Sequence, residues 1–233
     1  MSKKMMLLAL AAISAAMLAI PALASATPAH LSINPGNFTI HGGSSTLSRV
    51  AGGGTTGTTT TGTGKFENTT TGTVALTFHE VRDPFGQLCN SPGAPAGTVV
   101  STTLPFHLVM LGAHKPGLLI TSAAGNHFVT YTCPFPTGTI VVRGNPAGEG
   151  EGNPTGQGQG VLGEITSPTC GTAANEAKVR FNGINGIQTP TTYTGGHYTL
   201  ISSVNGGPYS ASAMNAEATI KFGAGINPTL ICT

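Results

Sequence analysis

Beyond its first 20 residues, this chain is broken by glycine and proline into short pieces, none of which shows a helical stripe of useful length. The 233 residues include 34 glycines and 16 prolines, and both residue types interrupt regular helices. Apolar residues recur at every second position, which is the spacing of half-buried β-strands rather than of a helical face. The sequence therefore predicts an all-β fold, an antiparallel β-sandwich or jelly-roll of about ten strands that is stapled by disulfides.

The clearest alternation lies in Thr73–Arg82, Glu176–Phe181 and Ala216–Phe222. In each segment one face is expected to pack on the core and the other to face water. Thr102–Leu111 has apolar residues on both faces, which predicts a central or covered strand. The Asn-Gly-Gly sequence at 205–207 separates two shorter strands and predicts a hairpin turn.

Two segments, Ala51–Gly64 and Asn145–Gly160, are rich in glycine and poor in apolar residues, and both are predicted to be loops. Their low apolar content cannot offset the entropy lost when a chain is ordered. Because threonine favours strands, a polar edge strand over Thr58–Lys65 is the alternative. Residues 27–233 are expected to form one domain.

The N-terminus has the three parts of a secretory signal peptide. Two lysines come first, an apolar run covers residues 5–20, and a small-residue cleavage pattern ends at Ala26, before Thr27. Cleavage after Ala24 is the near alternative. The run is shorter than the roughly 20 residues that a membrane span needs. Residues 1–26 are therefore expected to be removed, which predicts a secreted protein with no membrane insertion after cleavage.

Removal of the signal peptide changes the charge of the chain. Lys3 and Lys4 leave with it, so eight of the ten basic side chains remain to face eight acidic ones. A chain without net charge lacks the attraction that drives binding to nucleic acid or to anionic membranes. Neither is expected as a partner.

All four cysteines follow the predicted cleavage site, which suits an oxidising compartment. Four cysteines allow three pairings. We expect Cys133 to pair with Cys170, because this pair brackets the middle of the chain. Cys89 would then pair with Cys232 and hold the C-terminus.

The densest group of ionisable residues is the sequence His-Glu-Val-Arg-Asp at 79–83, which contains the only aspartate of the chain. An acid and a base at a strand end can be held rigidly by the sheet, so His79, Glu80 and Asp83 are the candidate catalytic residues. The favoured interpretation is an exposed strand end with a local Arg82–Asp83 ion pair. The chain has no serine-nucleophile motif of the Gly-x-Ser-x-Gly kind.

Metal-ligand candidates are few. His79 and His107 each follow a phenylalanine on a predicted strand, and they would come together if those strands pair. Glu149 and Glu151 could supply calcium ligands from the second predicted loop. Zinc needs further ligands at a recognisable spacing, and the sequence does not show them. A Gly-x-Gly-x-x-Gly match at 158–163 lacks the following helix that dinucleotide binding needs. No metal or cofactor is therefore expected.

Tyr193 and Tyr198 are the candidate binding residues. They flank a Gly-Gly turn and would be exposed there. Carbohydrate binding without catalysis usually uses exposed aromatic rings, but ordinary strand and turn packing is the alternative for both tyrosines.

Three short sequences, Gly64–Phe66, Leu104–His107 and Ser167–Gly171, resemble those of small secreted bacterial β-rich proteins of unknown function. The signal peptide and the richness in threonine and glycine add to this resemblance, which covers most of the predicted mature chain. It implies a fold rather than an activity and brings no functional residues with it.

These observations predict a secreted, non-enzymatic β-sandwich module that interacts with an extracellular surface component, matrix or ligand. Its glycine-rich loops would be the binding elements. The alternative is a secreted hydrolase that acts on polysaccharide or peptide, with the 79–83 cluster as its centre.

Overall fold

The structure is a computed structural model that describes residues 29–49, 53–121, 127–144, 160–184, 187–189 and 200–232. The predicted signal peptide and its cleavage site at Ala26 and Thr27 lie outside these residues. The described residues form strands and turns without an α-helix, which confirms the all-β prediction. Their strands are β1 His30–Leu31, β2 Asn37–Arg49, β3 Gly54–Gly57, β4 Thr59–Phe66, β5 Thr71–His79, β6 Val99–Val100, β7 Leu104–Gly112, β8 Lys115–Ile120, β9 Val129–Cys133, β10 Gly138–Gly144, β11 Val161–Ser167, β12 Glu176–Ile184, β13 Ile187–Thr189, β14 Leu200–Val204, β15 Ser210–Phe222 and β16 Leu230–Ile231.

Eight of these strands close into an antiparallel β-barrel, so the prediction of a sandwich or jelly-roll is wrong. The order around the wall is β12, β11, β8, β7, β5, β4, β2 and β15, and β15 pairs back onto β12. The closing register sets Glu176 opposite Lys221 and Asn182 opposite Asn215. Apolar residues alternate in the same way in the strands of a sandwich and of a barrel. The two folds differ only in whether the sheet closes on itself, which the alternation within a strand does not report.

Two long strands connect the barrel to a second group of strands. β2 and β15 are thirteen residues each, and both extend beyond the pairing that closes the barrel. The first residues of β15 pair with β14, which is followed by β10 and then β9. Side chains of this group, such as Tyr131 and Val142, share one hydrophobic core with Leu76 and Leu104 of the barrel.

The segment Ala51–Gly64 is not a loop where the structure describes it. It forms β3 and most of β4, and β4 lies inside the barrel wall between β2 and β5 rather than at an edge. The inward glycines leave room for a cluster of aromatic rings. A Cβ atom at Gly64 would overlap the ring of Phe38, whose centroid lies 5.3 Å from that of Phe66 and 5.7 Å from that of Phe106.

The predicted strands with one wet face are confirmed, except that the strand predicted to reach Arg82 ends at His79. In β12 the residues Ala177, Val179 and Phe181 are buried, while the charged residues between them are exposed. The predicted turn at 205–207 joins β14 and β15, which pair as a hairpin. β7 is buried on both faces, as predicted, because Val109 and Leu111 form a second apolar cluster on the outside of the barrel with Leu119 and Leu162.

The disulfides are Cys89–Cys133 and Cys170–Cys232, so the predicted pairing is wrong. The tertiary structure brings Cys89 beside β9, where Asn90 bridges Thr132. The C-terminus is stapled, as expected, but Cys232 is joined to Cys170. Two disulfides are consistent with an extracellular protein.

Candidate functional site

The three candidate catalytic residues do not form one site. The Nε2 atom of His79 lies 2.9 Å from Oγ1 of Thr61. Glu80 follows the strand at a backbone φ of 49° and is exposed, whereas Asp83 is buried. In the described part of the chain no hydrogen bond or ion pair joins any two of the three.

The carboxylate of Asp83 is used in hydrogen bonds that stabilise the local structure. Its Oδ1 atom accepts hydrogen bonds from the backbone amides of Phe85 and Gln87, at 2.9 Å each, and its Oδ2 atom accepts one from Thr137 at 2.7 Å. Burial opposes the charged carboxylate, but the hydrogen bonds from Thr137, Gln87 and Phe85 outweigh it and hold the pKa of Asp83 below its ordinary value. The favoured ion pair with Arg82 is also wrong, because the Arg82 Nη1 donates to the carbonyl of Gly86 at 2.7 Å.

The two candidate histidine ligands lie far apart although their strands pair. β5 and β7 are neighbours, but His107 stands opposite Thr71 at the start of β5, and His79 ends that strand. Eight residues of extended chain separate these positions by roughly 27 Å. Within the described ranges no three His, Cys, Asp or Glu side chains are grouped so that they could hold a metal ion.

The remaining candidates cannot be placed. Glu149 and Glu151, with the predicted loop Asn145–Gly160 except for its last residue, lie outside the described residues. Tyr193 and Tyr198 also lie outside them.

Two exposed phenylalanine side chains mark a different candidate site. Phe135 is 90% exposed and Phe85 is 66% exposed. Large apolar side chains exposed to this degree are costly in water and are often found at contact surfaces. We call the two turns that present them, residues 83–86 and 134–137, the aromatic turns.

Each aromatic turn places its phenylalanine at a central position. The amide of Gly86 donates to the carbonyl of Asp83 at 3.0 Å, and the amide of Thr137 donates to the carbonyl of Pro134 at 3.1 Å. These bonds between the first and fourth residues define two β-turns, with Phe85 third in one and Phe135 second in the other. Central turn positions point away from the sheet, so both rings are presented to solvent.

The aromatic turns are fastened to each other. The Asp83–Thr137 hydrogen bond joins them directly, and the Cys89–Cys133 disulfide joins the chain segments that follow the first turn and precede the second. Rigid loops lose little conformational entropy when they bind, because their geometry is set beforehand.

A cleft of about 210 Å³ lies beside the first aromatic turn. Pro84 and Phe85 of the first aromatic turn line the cleft, as do Pro136 and Thr137 of the second. The side chain of Arg49 also lines the cleft. The site therefore combines apolar rings and proline faces with a cation and a hydroxyl group.

Neither phenylalanine is among the site residues predicted from the sequence, although a local signal was present. Phe85 lies in Pro-Phe-Gly and Phe135 in Pro-Phe-Pro. An aromatic residue between turn-forming residues has no alternating strand to place it in the core. Such an aromatic residue is a candidate for exposure on a turn.

Compared with known proteins, the chain matches no family model, no curated protein and no solved structure. No helix in the described residues is both long enough and apolar enough to cross a membrane.

Proposed function

We propose that this protein is a secreted, non-enzymatic binding module that attaches to an extracellular polysaccharide through Phe85 and Phe135. The exposure of these two rings on fastened turns is the observation that carries the proposal. The predicted signal peptide and the two disulfides support an extracellular location.

The small apolar area of the site favours a polysaccharide over a protein as the partner. A stable protein interface buries about 800 Å² on each side around a contiguous apolar centre. Here the only large apolar side chains exposed in the described chain are Phe85, Phe135, Ile33 and Val100. Isolated rings beside polar groups suit a sugar, whose ring has an apolar face and hydroxyl groups at its edge.

The charge balance points to an uncharged polymer. The predicted mature chain has equal numbers of acidic and basic side chains, so long-range attraction to a charged polymer is weak. The acid within the aromatic turns, Asp83, is buried and already accepts three hydrogen bonds. Attachment would then depend on ring contact and be only weakly sensitive to salt.

A sedimentation assay with insoluble neutral polysaccharides, such as cellulose, chitin and a β-1,3-glucan, tests the proposal. The oxidised protein is expected to bind at least one of them, and Phe85→Ala with Phe135→Ala should reduce binding at least tenfold. Ile33→Ala is the matched control, because Ile33 is another exposed apolar side chain, at 48%. Both variants should unfold within about 0.5 kcal/mol of the wild type, since surface substitutions cost little.

Three results would contradict the proposal. Full retention by the double phenylalanine variant would remove the aromatic turns from the site. Retention only on protein matrices such as gelatin would indicate a protein partner. Release of soluble sugars by the wild-type protein would favour the alternative function, a secreted hydrolase.

A further inference from the structure

A second cavity, of about 80 Å³, lies inside the fold between the barrel and the strands β9, β10 and β14, and it shares Leu47 and Tyr131 with the wall of the cleft beside the aromatic turns. Its wall includes Leu76 and Leu104 from the barrel and Val99 from β6. Val142 and Leu200 come from the second group of strands.

The cavity is large for a natural protein interior and its wall is mostly apolar. Protein cores are packed as densely as organic crystals and leave few voids larger than a water molecule. One water needs about 10–15 Å³ and two to four polar partners, and cavities without such partners stay dry and bind apolar molecules. The volume exceeds that of a single structural water, and the mostly apolar wall favours a small organic molecule over a group of waters.

The cavity wall also contains one polar pair. The hydroxyl oxygens of Thr55 and Tyr131 are 2.9 Å apart and buried, and both residues line the cavity. One hydroxyl hydrogen lies between the two oxygens, and either residue can be its donor. The other hydroxyl hydrogen can be donated to a ligand oxygen.

The Thr55–Tyr131 pair stays uncharged over the physiological pH range. Burial raises the pKa of Tyr131 to about 12, although the Thr55 hydrogen bond and the positive charge of Arg49 act in the opposite direction. A neutral phenol in an apolar wall favours an uncharged ligand, because a buried charge without a partner is strongly disfavoured.

Part of the cavity wall is made of side chains that are not fully buried. Leu47, Phe78, Val129 and Met214 line the cavity and are only partly buried. Side chains of this kind change rotamer on fast timescales, so a small ligand needs no large rearrangement of the barrel to enter.

We infer that this cavity is a binding site for a small uncharged molecule with an apolar body and one hydrogen-bond-accepting oxygen, such as a short alcohol or ketone. The inference does not depend on the polysaccharide proposal, because the cavity and the exposed rings of Phe85 and Phe135 are different features.

Titration with two probes of similar shape tests the site. Isopentane and 2-butanol differ in a methyl group and a hydroxyl group, and saturable shifts of the NMR signals of Met214 and Val142 methyl groups would report binding. Tyr131→Phe should weaken 2-butanol binding about fivefold, the effect of one hydrogen bond, and should leave isopentane binding unchanged. An equal effect on both probes would overturn the role of the hydroxyl pair.

Two neighbouring valines provide a matched pair of variants. Val99 is buried and lines the cavity, whereas Val100 is 41% exposed and does not line it. Val99→Phe should abolish binding of both probes, and Val100→Phe should not change it. Unchanged binding by a folded Val99→Phe variant, or the absence of saturable shifts in the wild type, would overturn the inference.

If Val99→Phe does not fold, a variant that enlarges the cavity provides an independent test. Leu200 is buried and lines the cavity, so Leu200→Ala should allow the larger probe cyclohexane to bind at least fivefold more tightly than to the wild type. Equal cyclohexane binding by the two proteins would count against the site.

Discussion

The hydroxyl group of Thr137 donates a 2.7 Å hydrogen bond to Oδ2 of Asp83, although 54 positions separate the two residues in the sequence. This bond joins the two turns that present Phe85 and Phe135. The only aspartate of the chain is therefore a positioning residue for the candidate site, and both of its carboxylate oxygens are used in hydrogen bonds.

Asp83→Asn should lower the free energy of unfolding by about 1–3 kcal/mol at neutral pH, because an amide cannot accept all three hydrogen bonds equally well. The folded-state pKa of Asp83 is lowered, so its contribution is complete above the unfolded pKa of about 3.9 and is lost as the pH falls through the lower folded value. Urea unfolding of both proteins between pH 7 and pH 2 checks this. The stability difference should shrink at the acid end, and a difference independent of pH would contradict the assignment.

Gly64→Ala should destabilise the protein by about 1–3 kcal/mol, because the new methyl group would overlap the buried ring of Phe38. Gly43→Ala is the control, since nothing lies within 4 Å of a Cβ atom at that position of the same sheet. Thermal unfolding followed by circular dichroism should show a lower midpoint for the first variant and little change for the second. Equal midpoints would mean that β4 does not pack against the aromatic cluster.

The two disulfides should contribute similarly to stability and differently to binding. They close loops of 44 and 62 residues, for which loop entropy predicts a loss of about 4 kcal/mol each. Replacement of both Cys89 and Cys133 by alanine should also weaken polysaccharide binding, because that disulfide fastens the aromatic turns. Replacement of Cys170 and Cys232 should leave the binding of the folded protein unchanged. Sedimentation assays at a temperature where both variants are folded distinguish these outcomes, and equal loss of binding would contradict the positioning role.

The sequence predicted individual strands better than their assembly. The alternation in β12 and β15 indicated which faces are buried, because that signal lies within each strand. The prediction of a loop at Ala51–Gly64 was wrong. Some inward positions of this segment are glycines, so the segment lacks the alternation of apolar side chains that indicates a strand. The glycines of β4 are explained by the ring of Phe38, which comes from another strand.

In the candidate site, too, the sequence indicated single residues but not their contacts with distant parts of the chain. The sequence pointed to Asp83 because it is the only aspartate, but its partner Thr137 comes from a distant turn. The pairing of Cys89 with Cys133 likewise depends on how Asn90 meets Thr132. Contacts of this kind are set by strand register, which a single sequence does not report.

By itself, the sequence determined that the described chain is all-β, that its strands have one or two buried faces, and that β14 and β15 form a hairpin. Each of these properties depends on residues close to one another in the chain. Only the tertiary structure decided that β12 meets β15 and closes a barrel, which cysteines pair, and that Phe85 and Phe135 are held exposed on joined turns. Those properties depend on which distant segments pack together. The free energy that stabilises this packing comes from many small contributions throughout the core.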